Sequence, residues 1–479
     1  MSLNSILGTA TLALQAQQTA TQTASNNIAN AGTTGYSRQV VNLTPNTPLY
    51  TPSGAIGTGV LVQDISRVRN TMLDTNYRAQ TSQAAAYTTQ GDVLTSISNI
   101  FGEPSDTGLA NTLDQFYSSW GDLANNPTSS AAQSVVQQRG AAVASQLNQF
   151  SSNLDQLSSN TLATATQQVN DINQYTTQIA ALNKQIVAAE SDGTTTANDL
   201  RDARDNAIDS LSQIVPVRVI GQPNGSDNVY IGGSTVVDGS SSASFALQGA
   251  AGGTLSLQLN GRSFGTQSPG GSLGANLDAL NTEIPAAKSQ LDTLAAGIVT
   301  SVNSIHETGW TAAGDAADGS NWDPSAGATG SNVDFFDPTK LTAGSISLSA
   351  QVASNASFIA AGDVQNATGN NDIANKIAAL GNDTTTMTKY GSTTQTTSIN
   401  AFYNDLVTRV GVATSNATSS ATVYTTLAQQ ADTQRQSVSG VSTDEELVSL
   451  TKTQQAYAAA AKIITTASAM SQTLLDMIQ

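Results

Sequence analysis

The hydrophobic positions at the two ends of this chain follow a helical rhythm. Leu3, Leu7, Ala10, Leu14, Gln17, Thr21, Ala24 and Ile28 fall at alternating spacings of four and three. The last forty residues repeat the theme with Leu447, Leu450, Gln454, Tyr457, Ala461, Ile464, Leu474, Leu475 and Ile478. Such spacing predicts two amphipathic helices, over 3–30 and from about 443 onward. Thr443 with Glu446 reads as a capping box opening the last helix. An isolated helix is marginal in water, so the two stripes are expected to pair or to be covered by other subunits.

Between the ends, the period changes several times. Gly32 and Gly35 predict a stop and turn after the first helix. Residues 36–63, with Pro45, Pro48 and Pro52, read as an extended loop with strand-like pieces. Helical spacing is predicted over 65–101, over 109–123 with Phe116, Tyr117 and Trp120, over 129–190 as a heptad-like seam in one or two segments, and over 200–215. From Pro216 the apolar residues alternate (Val217, Val219; Val229, Ile231; Leu255, Leu257, Leu259), punctuated by Asn224-Gly225, Gly232-Gly233, Asp238-Gly239 and Gly252-Gly253. Short antiparallel strands are predicted there. Helices return at 270–305 and 398–436, separated by a polar loop, a strand at Ser345–Leu348 and a mixed region to about 395.

This pattern predicts a mainly α, elongated, multi-domain fold with a β-rich insert. It has paired terminal helices in a coiled coil, a helical bundle and a small antiparallel β domain. The expected division is 1–63 plus 437–479 as a terminal-helix domain. Residues 64–215 with 270–310 and 396–436 form the bundle, and 216–269 and 311–395 a β-rich or mixed outer region.

Composition sharpens the functional class. With 18 Lys and Arg against 35 Asp and Glu, the net charge is −17, which disfavours nucleic acid and anionic membrane surfaces. Residues 1–63 carry a single charge, Arg38, and the first acid is Asp64. No stretch approaches the roughly 20 apolar residues of a membrane span, and no cleavable secretory signal is legible. The chain has no cysteine, which points to a life outside the cell without disulfides. Catalysis has little to draw on. His306 is the one histidine and is expected to be structural. Asp315, Asp318 and Asp323 lack calcium-loop spacing, and the glycine pairs read as turns. Arg38 reads more readily as a solvated loop charge than as a specific contact, and Asp444-Glu445-Glu446 as acids favoured at a helix N-terminus. No cofactor or metal is expected.

Ser25-Asn26-Asn27-Ile28-Ala29-Asn30-Ala31-Gly32-Thr33-Thr34-Gly35-Tyr36-Ser37-Arg38 resembles the signature of bacterial flagellar axial proteins. Val441 to Leu447, then Gln454-Gln455-Ala456-Tyr457 and Ala461 to Ala467, is similar to the matching C-terminal end. Tyr36-Ser37-Arg38 with Asp444-Glu445-Glu446 leans toward the hook–filament junction branch. Ile65-Ser66-Arg67-Val68-Arg69 with Asp74 and Tyr77-Arg78, Phe116 to Trp120, and Val302 to His306 with Asp334-Phe335-Phe336 resemble its interior motifs.

The resemblance implies a non-enzymatic structural adaptor joining hook to filament, outside the cell in the flagellum, exported unfolded without a cleaved signal. The implied partners are copies of itself, the hook protein, a second junction protein and an export chaperone on the C-terminal helix, with no nucleic acid and no membrane insertion. The implied assembly interface is Leu3, Leu7, Leu14, Ile28, Tyr36, Arg38, Leu447, Leu450, Tyr457, Ile464, Leu474 and Ile478. The competing readings are a hook or distal rod subunit, a secreted protein with an enzymatic insert, and a secreted coiled-coil effector or adhesin.

Overall fold

The computed structural model describes residues 3–477 apart from 52–53, 194, 250–252, 265–268, 312–331, 366, 368 and 393. Pro52, Gly252, Asp315, Asp318, Asp323 and Ile478, which carried expectations above, lie outside the described residues.

The chain opens with α1 (Leu3–Ala29) and an antiparallel ribbon of β1 (Gln39–Pro45), β2 (Leu49–Thr51), β3 (Gly54–Ile56) and β4 (Val60–Arg67). In the ribbon β1 pairs with β4 and β2 with β3. Four helices follow: α2 (Thr71–Phe101), α3 (Leu109–Asn125), α4 (Ser130–Ala189) and α5 (Asn198–Ile214). The insert holds β5 (Val217–Gly221), β6 (Asp227–Ile231), β7 (Ser234–Asp238) and β8 (Ser241–Ser242) in one antiparallel sheet. A second sheet holds β9 (Phe245–Gly249), β10 (Leu255–Leu259) and β11 (Arg262–Ser263). Then come α6 (Gly271–Asp278), a π turn at Ala279–Glu283, α7 (Ile284–His306), α8 (Ala350–Ser354) and α9 (Asp372–Leu380). The hairpin β12 (Met387–Thr388)–β13 (Thr396–Thr397), α10 (Ile399–Ser439) and α11 (Thr443–Asp476) complete the chain. The fold is thus mainly helical, with small antiparallel sheets and long terminal helices.

Three local expectations are corrected. Residues 65–67 continue β4, with Ile65 opposite Val41 and Arg67 opposite Gln39. The helix starts only at Thr71, because the Asn70 side chain accepts the Met72 and Leu73 N–H groups and caps it. Ser345–Leu348 is not a strand. The segment turns on Thr342 hydrogen bonds and leaves a single bridge between Phe336 and Leu348. The last helix is capped by Ser442, which accepts the Glu445 N–H, so the box sits one residue earlier than Thr443 and Glu446.

α4 is one uninterrupted helix of 60 residues, about 90 Å long at 1.5 Å per residue. Its two halves serve two cores. Val136, Val143, Leu147, Phe150 and Leu154 join α2, α3, α7, α9 and α10 in the larger core, which also takes Val333, Phe335, Phe336 and Ile346. Ala165, Val169, Ile172 and Ile179 join α5, α6 and the insert strands in the second. Gly140 is needed in α4, because a Cβ there would sit 2.6 Å from the Phe335 ring.

Within the larger core, Phe116, Trp120, His306, Phe335 and Phe336 form one aromatic cluster with edge-on and tilted contacts. His306 is wholly buried. Its Nε2 accepts the Ala360 N–H at 3.0 Å, so Nδ1 carries the proton and donates to the Val333 carbonyl at 2.6 Å. The structural role expected from the sequence is the one it plays. Burial lowers its pKa from 6.5 to about 4.

The sign of the pH effect follows directly. Between pH 6.5 and about 4 the unfolded chain takes up a proton that the folded chain refuses. Stability is therefore whole above the higher value, falls as pH drops through the window, and levels off below the lower one. The gap corresponds to about 3 kcal/mol. In denaturant melts across this window, wild type should lose that much more stability than His306→Gln, which starts less stable at neutral pH. Parallel pH profiles for the two proteins would refute the assignment.

Candidate assembly interface and the polar joint behind it

α1 and α11 pack against each other as an antiparallel pair. Asn27 faces Glu446 and Thr21 bonds Thr453 at 3.2 Å. Continuing that register sets Ala24 beside Leu450, Gln17 beside Tyr457, Leu14 beside Ala460, Ala10 beside Ile464 and Leu7 beside Ala467. Apart from Gln17 and Tyr457, large side chains thus meet alanines across the seam. What becomes fully buried is small: Ala10, Ala16, Thr23 and Ala24 in α1, Ala460 and Ala467 in α11.

The expected interface residues therefore separate into two groups. Leu3, Leu7, Leu14, Ile28, Leu450 and Ile464 are half-buried along the pair, while Leu447, Tyr457 and Leu474 remain exposed. Tyr36 and Arg38 lie apart from both, in the turn between α1 and β1.

A second apolar row was not legible as a stripe in the sequence. Val448, Ile463, Met470, Leu474 and Met477 are each about half exposed or more. They fall within about 80° of one another at 100° per residue, on a different face of α11 from the seam. Each alanine methyl in the seam contributes about 0.8 kcal/mol, and covering the exposed half of one of these Leu, Ile or Met side chains is worth about 1 kcal/mol. A substantial share of the apolar surface of α11 is thus unburied by the pair.

The base of the pair is polar. Glu446, only 3% exposed, accepts Asn27 Nδ2 at 3.1 Å and Arg38 Nε at 2.8 Å. Arg38 also reaches Glu445 at 3.4 Å, and its backbone N–H donates to Ser439 O. Arg38 is thus a specific contact and not a solvated loop charge. Of the three acids at the start of α11, Asp444 and Glu445 stay in the exposed first turn, but Glu446 turns inward as its acceptor. Tyr36 donates its hydroxyl to Asn27 Oδ1 at 2.9 Å. Burial, together with Asp199, Asp202 and Glu446, pushes its pKa up to about 12, so it remains the neutral donor. Gly35 has φ 78°, and a Cβ there would meet the Asn206 side chain, so the turn lies flush on α5.

α5 supplies the other side of this joint. Asp199, Asp202, Asp205 and Asp209, spaced three, three and four apart, form one acidic ridge. Asp202 accepts the Ser37 N–H at 2.9 Å and its hydroxyl at 2.6 Å. Arg67 bridges Asp202 at 2.5 Å and Asp205 at 2.9 Å. Arg78 and Arg435 hold Asp209 at 2.6 and 2.5 Å, and Arg435 also lies over the Tyr77 ring. Burial opposes the charge on Asp205, but Arg69, Arg67, Arg78 and Arg204 outweigh it and hold the carboxyl below its ordinary range. Asp74 goes the other way: burial raises its pKa against Arg69 and Arg78. The ridge was visible in the sequence as a spacing, and Arg67, Arg69 and Arg78 as motif residues. Nothing there joined residues 67 and 202, or 209 and 435.

The chain is 30% identical, over 98% of its length and 97% of the relative's, to flagellar hook-associated protein 1 of Bacillus subtilis. It belongs to the flagellar hook-associated protein 1 family. The protein of that name in Escherichia coli is 26% identical over 99% of this chain and 100% of its own. Residues 94–321 match the family described as the flagellar hook-associated protein FlgK helical domain. The two ends match rod families: 7–36 the flagella basal body rod protein, and 433–477 the flagellar basal body rod FlgEFG protein C-terminal. The solved structure of the flagellar hook junction protein FlgK from Burkholderia pseudomallei has the same fold. It superposes with TM-score 0.61 at 19% identity, over 76% of this chain and 100% of that one. In this chain the pair lies almost wholly in the segments that match rod families, with Arg38 of its polar base just beyond the first of them, and Phe116, Trp120 and His306 of the aromatic cluster lie in the segment that matches the helical domain. Among the described residues no helix is long and apolar enough to cross a membrane.

Glu446→Ala would remove the buried acceptor shared by Asn27 and Arg38, leaving Asn27 with the Gln39 carbonyl and Arg38 with the exposed Glu445. We expect a loss of about 1–3 kcal/mol confined to the terminal helices, read as faster amide exchange in the first turns of α11 and the last turn of α1. Unchanged protection there would count against Glu446 as the anchor.

Proposed function

We propose that this chain is a structural, non-catalytic adaptor subunit that joins the flagellar hook to the filament and assembles through its terminal helices. Full-length similarity to hook-associated protein 1 supports it, and the observation that carries the mechanism is the uncovered apolar row on α11. Sister copies would cover that row in a tubular assembly, with the hook protein on one side and a second junction protein on the other. An export chaperone would hold α11 beforehand, when the helix is still uncovered. Export through the flagellar apparatus would need no cleaved signal and would leave the protein outside the cell in the flagellum. The helical-domain match at 94–321 favours this over a hook or rod subunit.

The interface we propose includes the half-buried residues of the pair (Leu3, Leu7, Leu14, Ile28, Leu450, Ile464) and the exposed Leu447, Tyr457 and Leu474, to which we add Val448, Ile463 and Met470 for their exposure. Tyr36 and Arg38 set the base of the pair and act on assembly through it.

Electron microscopy of a deletion strain should show hooks without filaments, with flagellin lost to the medium. Complementation separates the two groups of residues. Met470→Asp should leave the helical circular dichroism of the purified protein unchanged yet abolish swimming, because it charges a face that only neighbours bury. Leu14→Asp should do both, lowering terminal helicity and abolishing swimming. Normal motility with Met470→Asp would rule the α11 row out as the assembly face.

A further inference from the structure

α1, the β1–β4 ribbon and α11 form an arm distinct from the body. α1 packs on α11, β1 and β4. The chain passes between arm and body twice, at Val68–Asn70 after β4 and at Gly440–Ser442 between α10 and α11. Both crossings are three residues of non-helical backbone, held only at their edges, where Val68 donates to the Arg38 carbonyl and Gly440 to the Gln436 carbonyl. Two short crossings leave rotation open unless something else fixes it.

Apart from the Arg38 N–H bond to the Ser439 carbonyl at the end of α10, the polar groups across this boundary converge on one element. From the arm, Ser37 donates twice to Asp202, Arg67 reaches Asp202 and Asp205, and Gln39 donates to Asp199 at 3.3 Å. Asn198 of α5 returns a hydrogen bond to the Ile65 carbonyl at 2.7 Å. From the body, Arg78 of α2 and Arg435 of α10 take Asp209. Asp205 is contacted by both sides, through Arg67 and Arg69 from the ribbon end and Arg78 from α2. The ridge lies outside both apolar cores: Asp202 and Asp205 face guanidiniums, while Ala207, Ile208 and Leu211 of the same helix face the second core.

We propose that the acidic ridge of α5 is the lock of a hinge: its carboxylates fix the angle of the arm on the body, and without them both parts stay folded but the arm swings. A buried ion pair adds little net stability compared with apolar packing, yet it tolerates only one geometry. It is also screened weakly by salt. Such a joint suits an arm whose direction matters more than its binding energy. This inference does not rest on the flagellar reading, and it is tested on the isolated chain.

The chain has no cysteine, so paired spin labels go only where they are placed. Gln63→Cys on β4 with Ser159→Cys on α4 spans the joint. Thr95→Cys on α2 with Ser159→Cys stays within the body. Pulsed dipolar spectroscopy on the full-length protein should give a narrow distance distribution for both pairs. Asp202→Ala should broaden the first and leave the second unchanged. The double variant Asp202→Ala with Arg67→Met, which leaves no unpaired charge of that pair behind, should do the same. A narrow, unshifted arm-to-body distance in both variants would overturn the lock. Broadening of both label pairs would overturn it too, because the ridge would then belong to the core.

Discussion

The row of carboxylates on α5 constrains the rest of this molecule. Burying an ionised carboxylate costs several kcal/mol unless a cation and hydrogen bonds meet it. α5 presents Asp199, Asp202, Asp205 and Asp209 together, and its opposite face is committed to the second core. α5 contributes Arg204 toward Asp205, and the remaining cations arrive from other elements: Arg67 and Arg69 from the end of the ribbon, Arg78 from α2, Arg435 from the last turns of α10. These residues lie hundreds of positions apart, and one helix sets where all of them stop. In a chain only 11% charged, so many arginines at one joint indicate that geometry, rather than solubility, is what the charge is used for.

The body can be held this way because α4 makes it rigid. Its first half is in the aromatic-rich core and its second half in the core shared with the strands. Bending it would open both. Where a side chain would have filled the space, Gly140 lets the Phe335 ring reach the helix backbone. His306 ties the loop before Phe335 to the segment at Ala360 through two backbone hydrogen bonds, without needing charge.

Much of the fold was legible because periodicity reports which face of an element is buried, and helices of 17 to 60 residues give many repeats of it. Short elements gave too few. Ile65 and Val68 fit a helix or a strand equally well, and β1, distant in sequence, decided the matter by pairing with Arg67 and Ile65. Ser345–Leu348 alternates like a strand but meets its neighbour only at the Phe336–Leu348 bridge, while Ser345 and Ile346 bond back to Thr342. The joint was the least legible part. Asp444, Glu445 and Glu446 read as three equivalent acids at a helix start. A turn of 100° per residue sends only Glu446 inward, and Arg38 could not be known to wait there. Its functional consequence was equally hidden, since the stripe picked out by spacing proved to be half spent on the pair.

That last point decides how the arm can work. A helix pair meant to stand alone would put its leucines in the seam and its alanines outside. Here the leucines and the isoleucine of the seam meet alanines, and Val448, Ile463, Met470 and Leu474 face outward. The seam is correspondingly thin, so the pair is stabilised chiefly at its base, where Glu446, Asn27 and Arg38 join it to the ribbon. Support declines toward Leu3 and Met477, far from those contacts. In the assembly we propose, a neighbour covering the outer row would add burial where the pair is weakest, about 1 kcal/mol for each half-exposed Leu, Ile or Met that it covers. On the proposed reading, assembly would complete the fold of the arm instead of merely using it. The direction in which that completed arm points is left to the carboxylates of α5.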